Sequence, residues 1–249
     1  SKTEALKIDS NINSKIKCAA YCEMDGHVSA NQTGYVFSKA LRANNVDIIE
    51  NFEVSELSSR NNIYEIISNK GEKINASKIV VAAGVHLGKI LKLLNININI
   101  KCFPQQLIVT ERMPELMRTV VTVANGKLSL KQFESGTVLI GGGWPGIGNI
   151  DNDYTETKPE NLIGNMRLAC HAIPNLKNSR VSRVWLGLEA ETDDAMPVIG
   201  ELPNLKNAYV IGSIHSGYTS GPYLGLLLSE KILGKETDLS LFDIKRLIH

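Results

Sequence analysis

The run Lys78-Ile79-Val80-Val81-Ala82-Ala83-Gly84 constrains the fold more than any other segment. Its apolar residues do not alternate with polar ones, so as a strand it has two apolar faces. Such a strand belongs inside a parallel sheet covered on both sides by helices. Its small final residues would let a ligand approach the backbone at the carboxyl end of the strand, where open α/β sheets bind their ligands. Tight packing alone explains an Ala-Gly ending equally well.

Around this strand the spacing predicts an α/β chain with an antiparallel interruption. Residues 33–44 carry apolar positions at helical spacing (Val36, Ala40, Leu41), closed by Asn44-Asn45, and Val46 to Ile49 reads as a short buried strand. Val54 with Leu57, then Ile63 to Ile67, then a turn at Asn69-Lys70-Gly71, read as a meander. A helix is expected over 86–94. From about residue 101 the pattern turns to short strands at 106–110, 120–123, 127–132 and 137–140, closed by the cluster Gly141-Gly142-Gly143-Trp144-Pro145-Gly146. A helix over 158–172 and a strand over 181–188 follow. The end is α/β again, with a strand over 208–211 and a helix from Pro222 to Leu233 ended by Gly234. A sheet domain interrupted by an antiparallel β domain is the economical arrangement, because the outer parts need each other to cover one sheet.

Composition narrows the function. Lys plus Arg (27) against Asp plus Glu (26) leaves a net charge of +1, with no basic cluster, which gives no footprint for nucleic acid. No apolar run approaches the ~20 residues that span a bilayer, and the start Ser1-Lys2-Thr3-Glu4-Ala5 has no apolar signal region. Cys18, Cys22, Cys102 and Cys170 form no paired metal-ligand spacing and read as reduced thiols. The expectation is a cytoplasmic chain without nucleic-acid or membrane partners.

A second segment carries chemistry: Gly212-Ser213-Ile214-His215-Ser216-Gly217-Tyr218-Thr219-Ser220-Gly221-Pro222, directly before a helix. Unpaired amides and the dipole at a helix start stabilise an anion or an electron-rich carbonyl. An ordinary glycine-rich cap gives the same pattern. His215 lies inside this segment and is the histidine to test. His27, His86, His171 and His249 have no partners at ligand spacing, and Trp144 and Trp185 suit core or cavity walls.

Taken in order along the chain, these segments resemble the D-amino-acid-oxidase superfamily of FAD-dependent oxidoreductases. The branch they resemble most holds sarcosine oxidase beta subunits, proline dehydrogenases and the hydrogen cyanide synthase oxidase subunit. The resemblance rests on Asp25-Gly26-His27; on Val80 to Gly84; on Gln106 with Val109-Thr110-Glu111 and Pro114; and on Leu130-Lys131-Gln132 with Gly136 to Gly142. It rests further on Trp185-x-Gly187 with Thr192-x-Asp194-x-x-Pro197-x-Ile199-Gly200, and on the 212–222 loop. It implies a glutathione-reductase-like FAD-binding sheet domain interleaved with an antiparallel substrate domain. The implied division is 1–24 as a substrate-domain remnant, 25–95 and 187–249 for FAD, and 96–186 for substrate.

The implied activity is oxidation of a C–N bond of a small amine or amino/imino acid, glycine-, sarcosine- or proline-like, by hydride transfer to flavin. Implied cofactor-binding residues are Val54 at the adenine and Ala83 and Gly84 along the dinucleotide. Gly187 and Leu188 would lie near the isoalloxazine, and Gly217, Tyr218, Thr219 and Ser220 at the flavin pyrimidine edge. Two departures stand out. Glu189 occupies the place where such enzymes often carry a carboxylate-binding Arg, so it faces a cationic group, or Arg183 or His215 positions the substrate, or it is a surface residue. A strand with G-x-G-x-x-G opening a helix, and so an N-terminal βαβ unit of roughly 130 residues, is not found. The rival readings are a fragment that binds no FAD alone, one subunit of a hetero-oligomeric dehydrogenase (a homo-oligomer is equally open), and a NAD-dependent dehydrogenase.

Overall fold

A short apolar run becomes a strand only where a neighbour accepts its backbone hydrogen bonds. The computed structural model, which describes residues 1–124, 126–150 and 154–248, shows which runs find one. In chain order, α1 (Lys2–Ile8) and α2 (Ala30–Ala43) precede β1 (Val54–Arg60), β2 (Ile63–Ser68), β3 (Lys73–Ala76) and β4 (Ile79–Val81). Next come α3 (Leu87–Leu93), β5 (Lys101–Thr110), β6 (Val121–Thr122), β7 (Ser129–Gln132), β8 (Val138–Gly141), β9 (Ile147–Asn149) and β10 (Tyr154–Glu156). The chain ends with α4 (Pro159–Ala172), β11 (Val181–Glu191), β12 (Val198–Glu201), β13 (Ala208–Gly212) and α5 (Gly217–Ile232). Two compact units result, each discontinuous in sequence: Ser1–Asp47 with Pro104–Gly187, and Ile48–Phe103 with the chain from Leu188 onward.

The first unit is built on a five-stranded sheet of order β11-β5-β8-β7-β6. Leu130, Val138, Ile140 and Ile108 are buried on one face, packed with Ala169, Ile173 and Leu176 from α4 and the turn after it. Three polar side chains complete the unit by satisfying backbone groups that the strands leave open. Gln106, 2% exposed, donates to the carbonyls of Pro145 and Lys158 and accepts from the Lys158 amide at 2.6 Å. Gln132 accepts from the amides of Leu116 and Met117 and donates to the carbonyls of Pro114 and Gly136. Asn165 donates to the Gly141 carbonyl. Gln106 and Gln132 are the glutamines of the sequence motifs, and their work is architectural.

The glycine cluster is equally structural. Gly141, Gly143 and Gly146 have G-x-G-x-x-G spacing and follow a strand, but the chain then enters β9 rather than a helix. A Cβ on Gly142 would sit 2.5 Å from the Leu128 backbone. The segment bends and then pairs with β5, the Gln106 amide donating to the Trp144 carbonyl and the Gly146 amide to the Pro104 carbonyl. Those amides and carbonyls serve the sheet rather than a phosphate.

The second unit carries the antiparallel meander β1-β2-β3, in which Leu57 pairs with Ile66 and Tyr64 with Ala76. Its other sheet has the order β12-β13-β4. β13 runs antiparallel to β12 and parallel to β4, with Ala208 opposite Ile79 and Val210 opposite Val81. Val81, Ala208 and Val210 pack with Leu87 and Leu91 of α3 and with Leu57 and Tyr64 of the meander. The Tyr64 hydroxyl donates to the Lys206 carbonyl at 2.7 Å.

Several expectations are corrected. β4 is three residues long and lies at the edge of its sheet, with Val80 46% exposed, so the apolar run is not a central covered strand here. Val46 to Ile49 form no strand, and Val46, Ile48 and Ile49 are exposed, because no described strand lies beside them. α2 forms with an N-cap at Ser29 but buries no residue, and Val36, Phe37 and Leu41 face solvent. Residues 25–47 cluster with the first unit rather than with the segment up to 95. α5 begins at Gly217, so Pro222 lies inside the helix and donates nothing to the carbonyl one turn back.

The turn between β11 and β12 is held by one network. Arg246 meets Asp194 through Nε at 2.7 Å and Nη2 at 3.2 Å, and Nη2 also donates to the carbonyls of Met196 and Pro197. The Thr192 hydroxyl donates to Asp194 at 2.7 Å. Hydrogen bonding from Arg246 is the largest influence on the Asp194 carboxyl; it outweighs the opposing effect of burial and, with smaller help from Thr192 and the Met196 amide, holds the group far below the usual carboxylate range. A depressed folded-state pKa stabilises the fold above the unfolded value near 4 and loses that contribution as pH falls below it. Asp194→Asn and Arg246→Ala are each expected to lower unfolding free energy at neutral pH by about 1–2 kcal/mol, the partial exposure of the pair keeping the figure modest. Denaturant titrations should show the Asp194→Asn deficit shrinking as pH falls below about 4. Gln106→Leu, which leaves the Lys158 amide without its acceptor and a buried side chain without its hydrogen bonds, is expected to cost about 1–3 kcal/mol in the same titration.

Candidate functional site

Parallel pairing of β4 with β13 sets their carboxyl ends side by side, and both segments singled out by sequence leave from those ends. Ala83 and Gly84 follow β4, and the 213–216 loop follows β13. Gly212 at the end of β13 lets Leu87 pack closely against the backbone, since a Cβ there would come within 2.8 Å of Leu87 Cδ2 and displace it.

Backbone geometry fixes the loop on both sides of His215. Ser213 and Ser216 both adopt left-handed conformations, with φ of 49° and 57°. Such residues cost of order 1–2 kcal/mol each unless glycine, and persist where the surroundings over-determine them. Ser213 is 4% exposed and Ile214 packs against the cluster of Ile199, Tyr209, Leu224, Leu228 and Leu239, which supplies that constraint. Ser216 is the N-cap of the 16-residue helix α5 but gives its amides no side-chain hydrogen bond. The Ser213 hydroxyl oxygen is buried and has no partner among the described residues. An ideal Cβ on Gly217 or Gly221 would meet open space.

His215 reaches out of this loop to Glu189. Its Nδ1 lies 3.0 Å from Glu189 Oε1, with the imidazole side chain 63% exposed and the carboxylate side chain 27% exposed. Glu189 is therefore a partly buried member of a carboxylate–imidazole pair rather than a solvated surface residue. The chain separation between the two residues hid this pairing from the sequence.

Val54 and Ala83 meet elsewhere in the second unit. Together with Leu57, Ile66, Val80 and Ile90 they line a cleft of about 650 Å³ that is mostly apolar, with Glu53 and Lys89 at its mouth. Gly84 is not among its lining residues; it opens the short 3-10 turn before α3 with φ of 53°. In the first unit, Arg183 stacks over the Trp185 ring at 5.3 Å, and no heavy atom lies within 4 Å of an ideal Cβ on Gly187. Leu188 is 38% exposed in the second unit.

These features match needs of a flavin dinucleotide. A helix start without a side-chain cap, next to a buried hydroxyl that lacks a partner, suits the electron-rich pyrimidine edge. A mostly apolar cleft that runs along β4 and reaches its carboxyl end at Ala83 suits an adenine. The 141–146 cluster offers no diphosphate cradle. No group of three or more His, Cys, Asp or Glu positioned for a metal ion occurs among the described residues. No described helix is long and apolar enough to cross a membrane.

Comparison with known proteins agrees with the geometry. The chain is 24% identical over 249 residues to a glycine oxidase of Geobacillus kaustophilus, covering 98% of this chain and 64% of that protein. It is 26% identical over 236 residues to a sarcosine oxidase subunit beta of an Arthrobacter species, covering 93% of this chain and 56% of that one. The chain thus spans less than two-thirds of the length of these relatives. The crystal structure of an L-proline dehydrogenase from P. horikoshii superposes with a TM-score of 0.90 at 23% identity, over 99% of this chain and 67% of that one, which shows a shared fold. A family model described as "FAD dependent oxidoreductase" matches residues 1–231, and the chain belongs to that family.

Proposed function

We propose that this chain forms the greater part of a flavoenzyme that oxidises the C–N bond of a small amine or amino/imino acid of glycine, sarcosine or proline type. FAD, when bound, accepts the hydride. The second unit is assigned to the cofactor and the first, with its antiparallel sheet, to the substrate. Val54, Ala83 and Gly84 are assigned to the adenine and dinucleotide. Gly217, Tyr218, Thr219 and Ser220 are assigned to the pyrimidine edge, where the α5 amides and dipole stabilise negative charge. Gly187 and Leu188 border the isoalloxazine, and Glu189, His215 and Arg183 handle the substrate's charges.

The observation that carries this reading is the join of two elements at one place: the uncapped start of α5 follows directly on His215, which reaches Glu189 of β11. The relatives, by name, act on glycine, sarcosine and proline. The free edge of β4 supports placing a diphosphate-gripping βαβ unit in polypeptide outside these 249 residues. Four cysteines without a disulfide suit a reducing, cytoplasmic setting.

A second reading has its own support. One relative is named as a subunit, and the apolar stripe of α2 lies bare, so this chain suits one member of a hetero-oligomeric dehydrogenase.

Reconstitution separates the readings. The full protein that carries this chain together with the diphosphate-gripping unit, incubated with FAD and desalted, is expected to retain an oxidised-flavin absorbance band in about equimolar amount. Anaerobic addition of glycine, sarcosine or proline should bleach that band. Retention without bleaching by any amine contradicts the proposed reaction, and failure to retain flavin favours the subunit reading.

A further inference from the structure

We propose that His215 is the proton acceptor for the substrate's ammonium group and that Glu189 is its positioning residue. This rests on the reading of the chain as part of an amine-oxidising flavoprotein. A carbon bound to an ammonium nitrogen has no adjacent lone pair, and loss of hydride from it leaves no C=N bond. The nitrogen must first lose a proton. Its lone pair then forms the C=N bond as the C–H pair departs as hydride, which a bound flavin would accept, and water converts the iminium to a carbonyl compound with release of the amine nitrogen. Small amines and amino acids arrive largely as ammonium at neutral pH, so an acceptor beside the reacting nitrogen shortens that first step.

His215 meets the geometric requirements for this work. One imidazole nitrogen, Nδ1, is 3.0 Å from Glu189 Oε1, the arrangement in which Nδ1–H donates to the carboxylate. That bond fixes the tautomer and leaves the Nε2 lone pair free to take a proton. The carboxylate then stabilises the imidazolium that forms, as in other base–orienter pairs. Glu189 is the more buried partner and His215 the more exposed one, which puts the orienter behind and the acceptor in front.

The loop gives the ring a fixed origin. Its flanking residues, Ser213 and Ser216, hold left-handed conformations, and Ser213 and Ile214 are anchored by packing. Other charge near the ring is sparse. Among the described residues Glu189 is the acid within 4.0 Å of it, β11 carries Glu191 two residues further on, and the first turn of α5 holds Tyr218 as its one ionisable side chain.

Two measurements on the full chain test the proposal. In ¹⁵N-histidine-labelled protein above the imidazole titration, His215 is expected to carry its proton on Nδ1, and Glu189→Gln should shift it towards a mixture of tautomers. A ring protonated on Nε2 instead would overturn the proposal without any flavin present. In the FAD-loaded protein, anaerobic flavin reduction by sarcosine or another amine that reduces it should slow by about 10²-fold or more in His215→Asn when the amine is cationic. That deficit should close as pH rises past the amine's own pKa, with KM for the neutral amine little changed. A deficit uniform across pH marks a structural role and overturns the proposal, as does an unchanged rate. A wild-type flavin reduced by no amine overturns the functional reading and the base role together, whereas a reducible wild type with an unaffected variant overturns the base role alone.

Discussion

The parallel pairing of β4 with β13 is the contact on which the candidate site depends. It gathers Val81, Ala208 and Val210 into the core with Leu87 and Leu91. It also brings the ends of two strands together, so that Ala83 and the 213–216 loop leave the sheet on the same edge. Two of the features assigned to a cofactor follow from that placement: an apolar cleft along one strand, and an uncapped 16-residue helix beyond the other. Open α/β sheets bind ligands at such strand ends because backbone amides and helix dipoles point there.

Much of the architecture was legible in the sequence. The meander over 54–68, the helices at 87–93 and 159–172 and the antiparallel strands after 101 appear where periodicity puts them. The motif residues were legible for a reason the structure now supplies. Gln106, Gln132 and Asp194 satisfy buried or turn backbone groups, and a polar side chain needed for backbone accounting must recur at a fixed spacing. They identify a fold, and the chemistry lies beside them.

Other features could not be read. An apolar run such as Val80 to Ala83 looks the same in the middle of a sheet and at its edge, since burial depends on which strand lies alongside. Val46 to Ile49 failed for the same reason, and α2 kept its amphipathic pattern without a surface to cover. The helix start was misplaced because Pro222 is a strong initiation signal, whereas the left-handed Ser213 and Ser216 leave no mark in residue type. The union of Glu189 with His215 is a tertiary event, and with it the meaning of Glu189 changed from an isolated charge to half of a pair.

If the paired ends of β4 and β13 face the cofactor, hydrogen–deuterium exchange of the full protein with and without FAD will report it at those two ends. Added FAD should slow exchange in 79–86 and 212–221 and leave the amides of β7 and β8 unchanged. Protection confined to the first unit, or none in either segment at saturating FAD, would contradict it.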